Sequence, residues 1–281
     1  MNCIFGIFDV LGFTSFCKNC DFHSAESVLK VMDDFETEAP ETLLQRLDVR
    51  GNTPPDKKEL IKNRLRWLTF SDTIFAAMPV DLGAHPNTLK FNLIFFTLLV
   101  AYMNRKMFEI GLPVRGAVHI GEVMVSKRCF AGEAIVDAYN LGKKCQVAAT
   151  VVSDEAHAFL FKTFSEPGGF HSLYLNSIVE CDVPTGTTQL PNSLCVSSSE
   201  KMKTLCWFYL ELGRMERFAI PSDLGGFVRE KFTAHGKTLS GEREILKAFN
   251  TEKLFRDWQA ASKRQYHEHV AMSSDQNRRS A

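Results

Sequence analysis

Two aspartates carry the chemistry that this chain's residue types and spacing allow. Asp9 stands near the end of an apolar run, Ile4–Val10, and the run is followed at once by Leu11-Gly12-Phe13-Thr14-Ser15-Phe16. A carboxylate at the end of a buried strand is costly unless a cation or a dense set of donors compensates it. The residues after it turn towards a helix, so backbone N–H groups from Leu11 to Thr14 are placed to meet phosphate oxygens, with Phe13 and Phe16 anchoring the turn. Taken alone, Asp9 also reads as an N-cap before a helix. Asp72 lies in Phe70-Ser71-Asp72-Thr73, between two β-rich runs, where a turn aspartate is common. The pairing raises the stakes: two carboxylates on adjacent strands can hold two divalent ions roughly 3.5–4 Å apart, the arrangement of in-line displacement at phosphorus. Hard oxygen donors select Mg²⁺ or Mn²⁺.

A third stretch, Leu112-Pro113-Val114-Arg115-Gly116-Ala117-Val118-His119-Ile120-Gly121-Glu122, reads as a strand with close backbone approaches at its glycines. Arg115 reads either as a phosphate contact or as a strand arginine paired with a surface glutamate. His119 reads as a packed strand residue. Cys17-Lys-Asn-Cys20 has CxxC spacing, but no second pair follows to complete a zinc site, so Cys17 reads as packed on a helix face and Cys20 as capping a turn.

The elements that must position these residues follow from periodicity. Ile4–Val10 is a strand. Residues 24–46 have helical spacing, with Pro40 bending or splitting the helix. Residues 48–64 are polar, contain Pro54-Pro55, and read as a loop or insertion. Arg66–Phe70 and Thr73–Met78 form a hairpin. Thr88–Ile110 contains FNLIFFTLLVAYM, an apolar core of about 12 residues where a membrane span needs about 20, so it reads as a buried helix. Val114–Ile120 is a strand, Glu122–Ser126 a second hairpin arm, Ala134–Cys145 a helix and Val151–Ser153 a short strand. Phe170–Val179 and Lys203–Leu212 read as strands joined by a loop at 183–199. Glu242–His267 reads as mostly helical and the last residues as frayed. The order is that of an α+β sheet covered by helices on one face. One elaborated domain is expected, with residues 1–160 as core and 161–281 as an extension of it.

The 281 residues carry 33 Lys+Arg against 33 Asp+Glu, with 45% hydrophobic residues. That composition supports a real core and excludes a disordered chain. Zero net charge argues against a generic nucleic-acid or anionic-membrane binder. The start reads as a first strand and not a signal peptide, so the eight cysteines are expected as reduced thiols in a cytoplasm.

Asp9–Thr14, Ser71-Asp72, Arg115–Gly121 and Gly132-Glu-Ala-Ile-Val-Asp-Ala-Tyr-Asn-Leu141, in this order, resemble the class III nucleotidyl cyclase family over roughly residues 3–155. The resemblance is strongest to the pyrimidine cyclases of the bacterial Pycsar antiphage system. It implies a ferredoxin-like cyclase domain with a C-terminal α/β elaboration, working as a homodimer with active sites at the interface. It further implies that Asp9, Asp72 and the Val10 carbonyl hold two Mn²⁺ or Mg²⁺ ions, and that Gly12, Phe13, Thr14 and Arg115 hold the triphosphate. The implied reaction converts UTP, or alternatively CTP, to a 3′,5′-cyclic nucleotide and pyrophosphate, as a signal to a cyclic-nucleotide-responsive effector. The Asn and Arg that such enzymes carry four residues apart fall on Val136 and Asn140, leaving Lys143, Lys144 or Arg115 as substitutes for the transition-state cation. Where purine cyclases select their base, this chain has Arg66-Trp67-Leu68, bulk that fits a smaller base. A catalytically inactive, nucleotide-binding cyclase-like module is the alternative reading.

Overall fold

The computed structural model describes residues 1–47, 64–126, 129–164, 177–189, 195–207, 221–239 and 241–279. Its first strand, β1 (Asn2–Val10), is buried at nearly every position, the pattern of a central strand covered on both faces. Three helices follow: α1 (Phe13–Asn19), α2 (Phe22–Asp34) and α3 (Glu38–Leu47). The expected helix over 24–46 is thus split, with the break at 35–37 and Pro40 in the first turn of α3, where its missing N–H costs nothing. The expected loop at 48–64 lies almost wholly outside the described residues.

β2 (Arg66–Phe70) and β3 (Thr73–Pro79) pair antiparallel around a two-residue turn, Ser71-Asp72, as expected. Ser71 sits at φ 55, the left-handed conformation such tight turns demand. α4 (Pro86–Glu109) starts on Pro86, with the His85 ring accepting from the Asn87 N–H. It is buried along most of its length, as its composition predicts. The more deeply buried of its two buried asparagines is satisfied: Asn104 donates to the Val100 carbonyl and accepts from Thr150 Oγ1 at 2.9 Å. Among the described residues no helix is long and apolar enough to cross a membrane.

β4 (Val114–Glu122) lies beside β1. The expected second arm does not pair back on it. β5 (Met124–Val125) instead joins β6 (Phe130–Ala131) in a separate two-stranded ribbon. α5 (Glu133–Lys144) then crosses to β7 (Thr150–Val152), which runs parallel to β4. α5 seats so closely that a Cβ on Gly142 would come within 2.9 Å of the Gly116 backbone. A helix absent from the sequence reading, α6 (Asp154–Phe164), follows.

The expected loop at 183–199 is a correction. β8 (Ile178–Gln189) and β9 (Cys195–Leu205) form one long antiparallel hairpin across it, with a bulge at Gly186. The Ser/Thr-rich composition reads as loop, but Thr is also a good edge-strand residue. Residues 170–176 and 208–212, the rest of the two expected strands, lie outside the described residues. α7 (Leu224–Thr233) was not foreseen, and α8 (Glu242–Arg279) runs through the tail expected to fray. The seven-stranded sheet has the order β2-β3-β1-β4-β7-β9-β8, mixed and mostly antiparallel, with helices packed against it. This is the α+β class expected. α8 is fixed by Trp258, fully buried, whose indole donates to Thr204 Oγ1 at 2.8 Å.

Candidate active site

The site is built where β1 ends. Register places Asp9 opposite Thr73 on one neighbour and Arg115 on the other. The main chain leaves the sheet through two further bonds. Val10 N–H donates to the Asp72 carbonyl at 2.8 Å, and Leu11 N–H donates to the Pro113 carbonyl at 2.8 Å. The first of these pins the Ser71-Asp72 turn to the end of β1, so two aspartates sixty-three positions apart in sequence face one cleft. Gly12 then turns at φ 77 into α1, and Phe16 is buried with Phe13 packed on it, as the sequence reading expects.

Asp9, Val10, Gly12, Phe13, Thr14, Asp72 and Arg115 all line a cleft of about 590 Å³. The structure therefore unites the expected metal and triphosphate residues. Among the described residues no sulfur or imidazole lines this cleft, and its oxygens come from carboxylates, hydroxyls, an amide and the main chain, a set that fits a hard divalent cation. Among the described residues no group of three or more His, Cys, Asp or Glu side chains is arranged to hold a metal, so protein would supply only part of each coordination shell. That is the usual condition for Mg²⁺ held jointly with substrate phosphates.

Arg115 differs from the surface-pair expectation. Its Nε and Nη2 both reach Asp9 Oδ2, at 3.1 and 3.0 Å, and Nη1 donates to the carbonyls of Lys143 and Cys145 at 3.3 Å each. Burial pushes the Asp9 carboxyl up, and nearby Asp72 adds to this, against the opposing pull of the Arg115 charge and hydrogen bond. The net rise means that the guanidinium does not fully offset the burial of Asp9.

Of the remaining candidates, Lys143 lines a small second cavity with Asp9, Thr73 and Arg115, and the others stand apart from it. Trp67 is buried, donates to Thr69 Oγ1 and packs on Phe35; it lines a separate cavity of about 390 Å³ with Leu65 and Glu41. Arg66 is exposed and Leu68 half-buried, and neither lines the Asp9 cleft. On α5, Lys144 is engaged by Glu200 at 2.6 Å, while Lys143 holds its ammonium 5.2 Å from the Tyr139 ring centroid. Asn140 is exposed. Of the cysteines, Cys17 is exposed and does not pack as expected, because it points off the short α1; Cys20 ends that helix as its C-cap. His119 is buried against Phe5, with Nδ1 2.8 Å from Ser153 Oγ.

Sequence reading missed the far wall of the cleft, contributed by Lys237, Glu244 and Lys247. Lys237 is buried and donates to the carbonyls of Gly111 and Lys231, with its Cδ 3.2 Å from where a Cβ on Gly12 would stand. Burial pushes its ammonium down to about 8.

No protein-family model matches this chain, and no curated protein matches it. Solved structures with a related chain course include the adenylyl cyclase CyaB from P. aeruginosa, at 14% identity over 73% of this chain and 93% of that one, with a TM-score of 0.40. The guanylyl cyclase Cya2 is similar at 10% identity over 73% of this chain and 91% of that one, with a TM-score of 0.38. A bacterial light-regulated adenylyl cyclase is similar at 10% identity over 74% of this chain and 52% of that one, with a TM-score of 0.38. At these values function has to be read from the site.

Proposed function

We propose that this chain is a class III nucleotidyl cyclase that converts UTP to 3′,5′-cyclic UMP and pyrophosphate, with residues 1–160 as the cyclase core and 161–281 as an extension of the same domain. The carrying observation is the bond from Val10 N–H to the Asp72 carbonyl, which brings Asp72 to Asp9 at the mouth of a cleft lined by Gly12, Phe13 and Thr14. Asp9, Asp72 and the Val10 carbonyl would hold the divalent ions. When bound, such ions neutralise phosphate charge and make the ribose 3′-hydroxyl easier to deprotonate. The first-turn amides of α1, at Phe13 and Thr14, have no partners within the helix and orient the triphosphate. With the nucleotide so held, the 3′-oxygen attacks the α-phosphorus, its proton passes to water, and the bond from the α-phosphorus to the bridging oxygen breaks to release pyrophosphate. The residues of the chain contribute mainly by positioning and charge compensation.

The exposed stripe on α5 supports a homodimer. Val136 is 57% exposed and Tyr139 42%, and with Asn140 and Lys143 they share one helix face. In this reading that face meets the partner's cleft, Lys143 supplies transition-state charge there, and Arg66 and Leu68 shape the base pocket across the interface, with Trp67 buried behind them. Selection of a pyrimidine rests on the bulk of Arg66 and Trp67 and on the resemblance to Pycsar cyclases. That resemblance also carries the antiphage role, the cytoplasmic location and the downstream effector.

The test is incubation with each of ATP, GTP, CTP and UTP plus Mn²⁺, followed by chromatography. Cyclic UMP in excess over the other products is expected, abolished by EDTA and restored by Mn²⁺ or Mg²⁺. A CTP preference moves the assignment to cytidylate cyclase. A purine preference removes the base-pocket reading, and no cyclic product from any of the four leaves the inactive-module alternative.

A further inference from the structure

One wall of the Asp9 cleft is supplied by α8. Lys247, six residues into α8, lines the same cleft as Asp9 and Gly12–Thr14. Among the described residues its ammonium forms no hydrogen bond or ion pair, in contrast to Arg115 on Asp9 and Lys237 on two carbonyls.

Its backbone is held by the helical turn that follows it. Asn250 Nδ2 donates to the Gln146 carbonyl at 3.0 Å, and Thr251 Oγ1 accepts from the Ala148 N–H at 2.9 Å while donating to the Lys247 carbonyl at 2.7 Å. Ala248, Leu254, Phe255 and Trp258 are buried beneath. A half-buried ammonium without a hydrogen-bond or ion-pair partner among the described residues, held by a rigid element near the Arg115 guanidinium, is costly unless an anion meets it. Burial and the nearby Arg115 charge disfavour its protonated form, and Asp9 and Glu244 favour it, so the group sits within the electrostatic reach of the metal-binding end.

We propose that Lys247 binds the β,γ-phosphate end of the triphosphate from within the same chain and neutralises pyrophosphate as it leaves. This rests on the cyclase reading and gives the C-terminal helix a part in it. The charge that builds on the bridging oxygen as its bond to the α-phosphorus breaks then meets a preplaced ammonium. α8 thereby supplies a cation that the Val136 and Asn140 positions of α5 do not.

The experiment measures tripolyphosphate binding calorimetrically in the presence of Mn²⁺, together with UTP kinetics, for the wild type, Lys247→Gln, Lys247→Arg and the exposed-site control Lys253→Gln. Loss of one charge-assisted contact predicts about a 10–100-fold weaker tripolyphosphate affinity and a similar fall in kcat/KM for Lys247→Gln. Lys247→Arg should recover most of both, and Lys253→Gln should match the wild type. If Lys247→Gln melts early, Lys247→Met at a matched temperature below its transition carries the same comparison. Equal tripolyphosphate affinity in wild type and the folded neutral variant overturns the inference, as does failure of the wild type to bind tripolyphosphate. Lys247-dependent tripolyphosphate binding without turnover of any nucleotide leaves the inference standing and removes the cyclase reading instead.

Discussion

Asp9→Asn and Asp72→Asn should each lower cyclic nucleotide formation by about 10³-fold or more. Losing one preorganised charge-stabilising group costs about 10²–10³ in turnover, and here the loss also weakens the hold on the ions. The two variants should part company in stability. Asp9 is half of the ion pair with Arg115, so its amide variant should melt below the wild type. Among the described residues the Asp72 carboxylate has no hydrogen bond or ion pair, so Asp72→Asn should melt with the wild type while being equally inactive. Melting curves and product chromatography on the same preparations check both. Wild-type activity in Asp72→Asn would remove it from the metal site.

Arg115→Met should have the largest effect on stability of any single change at the cleft. The guanidinium is only 13% exposed, while the Asp9 carboxyl is 34% exposed. Four contacts are lost together, to Asp9 Oδ2 twice and to the carbonyls of Lys143 and Cys145. A fully buried pair broken on one side costs about 3–5 kcal/mol; the partial exposure of Asp9 brings the expectation to about 2–3 kcal/mol. The same substitution removes the positive charge that opposes the burial of Asp9, so the carboxyl should titrate still higher. Activity should therefore fall most at low pH, where a protonated Asp9 is a poor cation ligand, and recover partly as pH rises. Denaturant melts and a pH–rate profile test the two halves separately. An unchanged melt with an unchanged profile would show that Arg115 braces nothing.

The parts legible in the sequence were those written in short periods. The β1 run ending in Asp9, the Arg66–Phe70 and Thr73–Pro79 hairpin, the long apolar α4 and the α5 pattern after Gly132 all declare themselves through local alternation or 3.6-residue spacing. The Asp9–Asp72 pairing was legible because both ends are strand termini, where register leaves few placements. What stayed hidden depends on distant partners. The β8–β9 hairpin reads as loop because its edge-strand threonines and serines look like turn composition. The β5–β6 ribbon hides because two-residue strands carry no period. α8 continues past His267 although its composition there is polar. Arg115 could not be assigned to Asp9 without knowing that β4 lies next to β1. Lys247 could not be assigned to any site, since nothing local says which cleft its helix closes.

The most direct measurement of the central claim is anomalous scattering from Mn²⁺ in crystals grown with 3′-deoxy-UTP, which can bind but cannot cyclise. The account predicts two manganese peaks roughly 3.5–4 Å apart, both within bonding distance of the Asp9 and Asp72 carboxylates and of the triphosphate. Manganese bound elsewhere, with those two carboxylates contacting neither ion nor nucleotide, would contradict it.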